Sequence, residues 1–297
     1  MMRGMNSAIS GLEAQQTWLD TTANNLANAD TIGYKSQQTS FADELSQTLS
    51  GASGPNAFSG GSNAQQVGLG VQVGAIENEM GQGSEQTTGN PLDVYIKGNG
   101  FLTVTTGGGQ PAVPTPPAKT TPPGTPPAND PITTEYTRAG NLTTNQQGFL
   151  TTQSGQYVMG YESAYSPGGT NTQCYINVPT TATNVAIGKD GAVTYTDDSG
   201  NPQTAGYLQL ATFPNNSGLS RAGGSMWTPS PSSGNPVFGT PGVNGLGSTI
   251  AGSLEGSNVD MATEFSNMIQ AQTGYQADSK VISTADQMLQ TLVQMAG

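Results

Sequence analysis

Residues 2–27 read MRGMNSAISGLEAQQTWLDTTANNLA, and the spacing within that stretch decides how the rest of the chain is read. Its apolar positions Met2, Met5, Ile9, Leu12, Leu19, Ala23 and Leu26 fall in alternating steps of three and four, with Gln16 filling the one gap. On a helix this seven-residue rhythm lays a narrow apolar stripe along a partner. The far end of the chain repeats it at Met261, Phe265, Met268, Tyr275, Ile282, Leu289 and Val293, interrupted by Gln272, Ser279 and Asp286. Ile269, Val281, Met288, Leu292 and Met295 widen that second stripe. Asn258 or Asp260 can cap the C-terminal helix, and Glu264 sits in its first turn, where the helix dipole favours an anion. Such stripes can pack onto the protein's own globular core; because they are heptad-spaced with polar flanks, the expectation preferred is a pair of coiled-coil-like terminal helices that meet each other and further copies of the chain.

Between the helices the signals are those of strands. VGLGVQVGAI (67–76) alternates small and apolar residues, and LDVYIKGNGFLTV (92–104) reads as two short strands around the turn Gly98-Asn99-Gly100. Further strand-like runs lie at 135–162, 175–179, 184–203 and 206–214, separated by turns such as Lys189-Asp190-Gly191 and Asp198-Ser199-Gly200-Asn201. Such spacing implies an antiparallel β-domain, a sandwich or an irregular barrel. The fold class expected is therefore α+β. Terminal helices would occupy 1–32 and 258–297, connecting segments 33–75 and 245–257, and a β-rich domain 76–244. Within the last, residues 105–134 hold nine of the 19 prolines and read as a surface loop between two strands, because proline withholds a backbone donor.

Composition narrows the function. The chain has 297 residues with 41 Gly and 19 Pro, and Leu, Ile, Val and Phe together supply only 49. Charged residues are just 9%, so the sequence is not a charge-rich disordered tail either. There is no histidine, which removes the commonest general base and metal ligand. One cysteine, Cys174, permits no internal disulfide and no Cys-rich zinc site. Eight basic residues scattered from Arg3 to Lys280, against a net charge of −12, offer nucleic acid no basic patch. No apolar run is long enough to span a bilayer, and the N-terminus lacks the apolar core of a cleavable secretory signal.

Candidate chemistry is sparse. Asp197-Asp198-Ser199-Gly200-Asn201 clusters oxygens, but it lacks the bidentate Glu that completes a calcium loop, so it reads as a hairpin turn. The pairs Asp43/Glu44 and Glu77/Glu79 have no aromatic pocket around them to separate their pKa values. Cys174 has no base or cation nearby in sequence. No catalytic, metal or cofactor residue is assigned, and an enzyme is not expected.

The two ends carry longer motifs. TTANNLANADTIGYKSQQTSFADEL (21–45) and GSLEGSNVDMATEFSNMIQAQTGYQADSKVISTADQMLQTLVQ (252–294) resemble the N- and C-terminal signatures of the axial proteins of the bacterial flagellum, the family of rod, hook and hook-associated proteins. The stretches GNPLDVYIKGNGFLTV, EYTRAGNLTTNQQGFL, AIGKDGAV and LATFPNNSGL are similar to the middle of its hook and distal-rod branch. The resemblance implies an inner tube of terminal helices, an outer β-domain and a helical homopolymer without nucleic acid or membrane insertion. Its implied interface comprises Met5, Ile9, Leu12, Leu19, Asn24, Asn25, Leu26, Ala27, Asn28, Gly33, Tyr34 and Phe41 from the first signature. From the second come Leu254, Ser257, Asn258, Val259, Phe265, Met268, Ile269, Gln272, Tyr275, Ile282, Leu289 and Val293. Implied partners are rod and hook–filament junction proteins, a hook cap and the flagellar type III export apparatus, with an extracellular location reached without a cleavable signal. Within the family the similarity is greatest to short hook proteins, so a flexible torque-transmitting hook is expected, with the stiff distal rod as its rival. An adhesin or S-layer-like β-protein is the alternative from another class. Two departures stand out: Thr273, where family members often carry Arg, and the Pro-rich insertion.

Overall fold

The computed structural model describes residues 2–54, 60–106, 133–166 and 173–296. The chain divides into two compact units, the first formed by Met1–Ala29, Ser36–Glu79 and Val259–Gly297, the second by Asp30–Lys35 and Met80–Asn258.

The first unit holds two helices, α1 (Met2–Ala27) and α2 (Met261–Ala296), and four strands: β1 (Gln37–Asp43), β2 (Ser46–Ser50), β3 (Gln65–Gly68) and β4 (Val71–Asn78). Asp260 starts α2 as expected of a cap. Its carboxylate accepts the Ala262 N–H (3.0 Å) and the Thr263 hydroxyl (2.9 Å), satisfying donors the first turn leaves open. Those bonds, from the Thr263 hydroxyl first, hold the Asp260 carboxyl below its usual range. Strands β1 and β4 pair antiparallel from Gln37↔Asn78 to Asp43↔Val71, with a bulge at Ser40/Phe41. Strands β2 and β3 continue the two-stranded ribbon, bridged by Glu44 N–H to Gly70 carbonyl and Leu69 N–H to Leu45 carbonyl.

Among the described residues, the regular elements of the second unit are strands and one short 3-10 turn. In chain order it contains β5 (Glu85–Thr87), β6 (Val94–Lys97), β7 (Phe101–Thr106), β8 (Thr133–Thr137), β9 (Leu142–Thr144), β10 (Leu150–Thr152), β11 (Tyr157–Tyr161) and β12 (Gln173–Tyr175). Then follow β13 (Thr183–Ile187), β14 (Ala192–Thr196), β15 (Pro202–Leu208), β16 (Leu210–Thr212), β17 (Ser220–Gly223), β18 (Met226–Thr228), β19 (Val237–Gly239), β20 (Ser248–Ala251) and β21 (Ser253–Glu255). The main antiparallel sheet runs β13-β14-β15-β11-β7-β8-β18-β17. Its central strand β7 shows why the sequence alternates: Leu102 and Val104 enter one apolar core with Val94, Ile96, Leu142, Leu150 and Leu208, while Phe101 enters another with Tyr136, Phe213 and Trp227. The architecture is α+β, two terminal helices around an antiparallel β-rich middle.

Two local expectations resolve differently. The turns at Lys189–Gly191 and Asp197–Asn201 do close β-hairpins, β13–β14 and β14–β15. Gly98-Asn99-Gly100 does not, although strands flank it. Strand β6 pairs with β20, whereas β7 pairs with β8, β11 and β16, and Gly98 and Gly100 turn the chain at φ +108° and +130° to separate them. The Pro-rich loop 105–134 lies outside the described residues over 107–132. Its flanks β7 and β8 pair as hairpin partners, from Leu102↔Thr137 to Thr106↔Thr133.

Candidate assembly interface

The helix pair of the first unit is joined through small side chains. Asn25 meets Glu264, Gln15 meets Gly274 and Gly11 meets Asp278, so each step back along α1 is matched by an equal step forward along α2 and the helices run antiparallel. A Cβ on Gly11 would lie 2.6 Å from the Asp278 carboxylate, and one on Gly274 would lie 2.9 Å from the Gln15 amide. Ala8, Gly11 and Ala14 of α1 and Ala271 and Ala285 of α2 are buried. Close approach of small residues displaces the larger ones toward the flanks. Met5, Leu12, Leu19, Leu26, Met268, Ile282 and Leu289 are half-buried, while Ile9, Phe265, Ile269, Gln272, Tyr275 and Val293 are exposed. Because α2 has 36 residues and α1 has 26, the antiparallel pairing runs out near Gln287. Met288, Leu292, Val293 and Met295 beyond it are exposed.

At the other end of α1 the NNLAN motif performs a local task. Asn25 is 1% exposed; its Nδ2 donates to the Gln37 carbonyl (2.8 Å) and to Glu264 Oε1 (3.0 Å), and its Oδ1 accepts the Gln37 N–H (2.9 Å). One amide thus fixes the end of α1, the start of β1 and the first turn of α2, saturating groups that burial would otherwise penalise. Asn28 donates back to the Asn24 carbonyl and side chain, closing the helix end, and Ala27 is exposed. Phe41, on β1, meets the Trp18 ring edge-on at 5.8 Å and stays partly exposed.

The remaining motif residues converge inside the second unit. Gly33 adopts φ +67°, its N–H donates to the Glu255 carbonyl (2.8 Å), and a Cβ there would stand 2.7 Å from the Ala139 nitrogen. Tyr34 is buried under the Arg221 guanidinium, 4.8 Å from its ring, and Trp227 lies 5.0 Å from the same cation. Arg221 also donates to the Lys35 carbonyl. The Lys35 ammonium, 1% exposed, donates to Glu255 Oε1 (2.6 Å) and to the Gly81 carbonyl (2.8 Å). Arg138 reaches Glu255 Oε2 (3.1 Å) and the Gly98 carbonyl (2.9 Å), and the Gly83 N–H adds a further bond to the carboxylate (3.0 Å). Two buried cations thus share one fully buried anion. Burial pulls the Lys35 pKa below its ordinary value, and Glu255 opposes that pull. Leu254 is buried, Ser257 and Asn258 are half-buried, and Val259 is half-buried in the helical unit.

Little else offers chemistry. Burial pushes the half-buried Cys174 thiol up to about 11, away from a reactive thiolate. Among the described residues no group of three His, Cys, Asp or Glu side chains is placed to hold a metal, and no helix is long and apolar enough to cross a membrane.

Comparison with known proteins identifies the setting of these residues. The chain is 37% identical to the flagellar basal-body rod protein FlgG of Bacillus subtilis over 99% of both chains. The chain belongs to the flagellar basal-body rod and hook protein family. It is also 35% identical to the FlgG of Caulobacter vibrioides over 99% of both chains. Three family models match: the flagella basal body rod protein at 5–35, the flagellar hook protein FlgE/F/G D1 domain at 128–195, and the flagellar basal body rod FlgEFG protein C-terminal region at 250–295. Lys35, Arg138 and Glu255 fall one in each segment, so the buried triad joins the three parts that define the flagellar rod and hook family in this chain. The flagellar hook protein FlgE of Borreliella burgdorferi is 45% identical, but over 34% of this chain and 23% of its own. Whole-chain similarity thus lies with proteins named for the rod, which favours the distal-rod alternative over the expected hook subunit.

Lys35, Arg138 and Glu255 are absent from the interface set inferred from sequence, although the quoted motifs contain them. A signal was available. Where only 9% of residues are charged, a charge inside a stretch such as TIGYK or GSLEG marks a specific electrostatic role.

Proposed function

We propose that the chain is a subunit of the flagellar distal rod, a structural element with no catalytic role that polymerises with itself and transmits torque. One observation carries the choice over the hook: similarity to rod proteins spans the whole chain, whereas similarity to the hook protein covers a third of it. The ribbon β1–β4 supports it, because its exposed Phe41, Leu45, Leu49 and Val67 offer apolar surface with which a connecting segment could lock neighbouring copies. The exposed flanks of α2 and its overhang beyond α1 supply the helical contacts of an inner tube at 1–32 and 258–297. There the heptad positions would complete a coiled-coil-like packing between copies. Heterologous contacts that do not close generate such a helical polymer. Rod and hook neighbours and the type III export apparatus are the partners of this reading, and the assembled site lies in the axial structure outside the cytoplasmic membrane.

The test is complementation. Expressed in a strain lacking its distal rod protein, the chain should restore basal-body completion and swimming, and purified polymers should be straight in electron micrographs. Rescue confined to a strain lacking the hook protein, with curved polymers, would overturn the rod reading.

A further inference from the structure

The second unit contains a six-residue piece, Asp30–Lys35, cut off in sequence from the rest of that unit by 36–79. The piece is held by residues around the point where the chain finally leaves the unit. Glu255 takes the Gly33 N–H through its carbonyl and the Lys35 ammonium through its carboxylate. The Asn258 N–H donates to the Tyr34 carbonyl (3.4 Å), and Ser225 Oγ donates to the Ile32 carbonyl (3.1 Å). Load applied at the N-terminus enters the unit at Asp30, and load applied at the C-terminus enters at Asn258. These two points are therefore tied directly to each other rather than through the strands between Met80 and Leu254.

We infer that Asp30–Lys35, gripped by Glu255, Ser225 and Asn258, is a mechanical clasp that passes tension between the two ends of the chain past the β-sheet, so that the sheet bears load only once the clasp has opened. The placement of the ties supports this. An ion pair with both partners buried is screened little by salt, and the first step of drawing Lys35 away leaves charge uncompensated in the interior, which opposes opening. Gly33 lets the peptide sit against the Ala139 backbone without a Cβ between them. The inference goes beyond the rod assignment and does not rest on it, since it concerns contacts inside one unit of one chain.

Constant-force optical trapping of the full chain tests it. With handles at the two termini, the first rupture after the helices unravel is extraction of the clasp. Lys35→Met should shorten its lifetime at least tenfold while leaving Glu255 paired with Arg138. With the handles moved to the exposed turns at Ser154 and Asp198, neither of which lies at the ends of the clasp, the load bypasses the clasp, and Lys35→Met should leave the lifetime unchanged. An unchanged lifetime in the terminal geometry, or equal shortening in both, would overturn the clasp. Should Lys35→Met not fold, Ser225→Ala is read in the same two geometries, with about threefold shortening expected only between the termini and overturning results of the same form. Swimming by a strain carrying the variant is scored separately, so failure of the clasp leaves the rod reading standing.

Discussion

Glu255→Gln is the substitution whose consequence the structure fixes most closely. Gln has the same shape and keeps an acceptor for one neighbour, but it removes the negative charge that Lys35 and Arg138 share. Breaking a buried ion pair by deleting one partner typically costs about 3–5 kcal/mol, because the other charge stays buried. Here two cations are stranded, so the upper part of that range, about 4–5 kcal/mol, is expected at pH 7. Urea unfolding followed by Trp227 fluorescence, in a Trp18→Phe background so that one reporter remains inside the β-unit, measures it. The pH dependence gives a second check. Lys35 already has a folded pKa below its unfolded value of 10.5, and removal of Glu255 takes away the main influence raising it. Between the folded pKa and 10.5 the unfolded chain binds the extra proton, so this group's contribution to stability rises with pH. The deficit of Glu255→Gln relative to the parent should therefore shrink as pH rises from 7 to 9.5. A variant within 1 kcal/mol of the parent, or a deficit unmoved by pH, would refute the electrostatic account of the triad.

Gly33→Ala should cost about 2–4 kcal/mol, combining left-handed backbone strain with a Cβ 2.7 Å from the Ala139 nitrogen, and the same fluorescence assay would register it. Asn25→Asp, isosteric and confined to the helical unit, turns the donor contacts to Gln37 and Glu264 into opposed oxygens; a loss of about 2–4 kcal/mol followed by helical circular dichroism is expected. The introduced carboxyl would have a raised folded pKa, so this loss should diminish on acidification toward pH 4. On the alkaline side the parent should weaken above pH 9, as Cys174, held at about 11, and then Tyr136, held at about 12 by burial, ionise first in the unfolded chain; a urea midpoint that stays flat to pH 11 would contradict this.

Much of this architecture is legible in the sequence, for stated reasons. The three-and-four rhythm marks both helices, the turns at Lys189–Gly191 and Asp197–Asn201 mark two hairpins, and Asp260 announces the start of α2. The seam between the two helices is less legible: Ala8, Gly11, Ala14 and Ala271 are buried there, while Ile9, Phe265 and Tyr275, named from the sequence as interface residues, stay exposed in the single chain. Small residues carry little hydropathy yet permit the closest approach. The parting of the strands around Gly98–Gly100 is equally hidden, since a Gly-Asn-Gly turn is written the same way whether its strands pair together or with others. The terminal motifs are common to the rod and hook branches and do not separate them; the coverage of whole-chain relatives favours the rod reading proposed above.

The use of charge ties these observations together. Of eight basic residues, Lys35 and Arg138 are buried on Glu255, and Arg221 lies against Tyr34 and Trp227. Among the described side chains this leaves Lys97, Lys189 and Lys280 as the exposed cations. A chain of net charge −12 therefore places cations where they close its own β-unit and leaves few for attraction between copies. Acidic subunits brought together repel one another, and salt screens that repulsion over a Debye length of about 10 Å at 0.1 M. In the proposed polymer, attraction between copies falls largely to apolar surface, and exposed apolar residues are what α2 and the ribbon retain. The shortage of Leu, Ile, Val and Phe in the chain as a whole is thus compatible with a small β core, because part of what apolar content there is remains on the outside, where the proposed polymer would cover it.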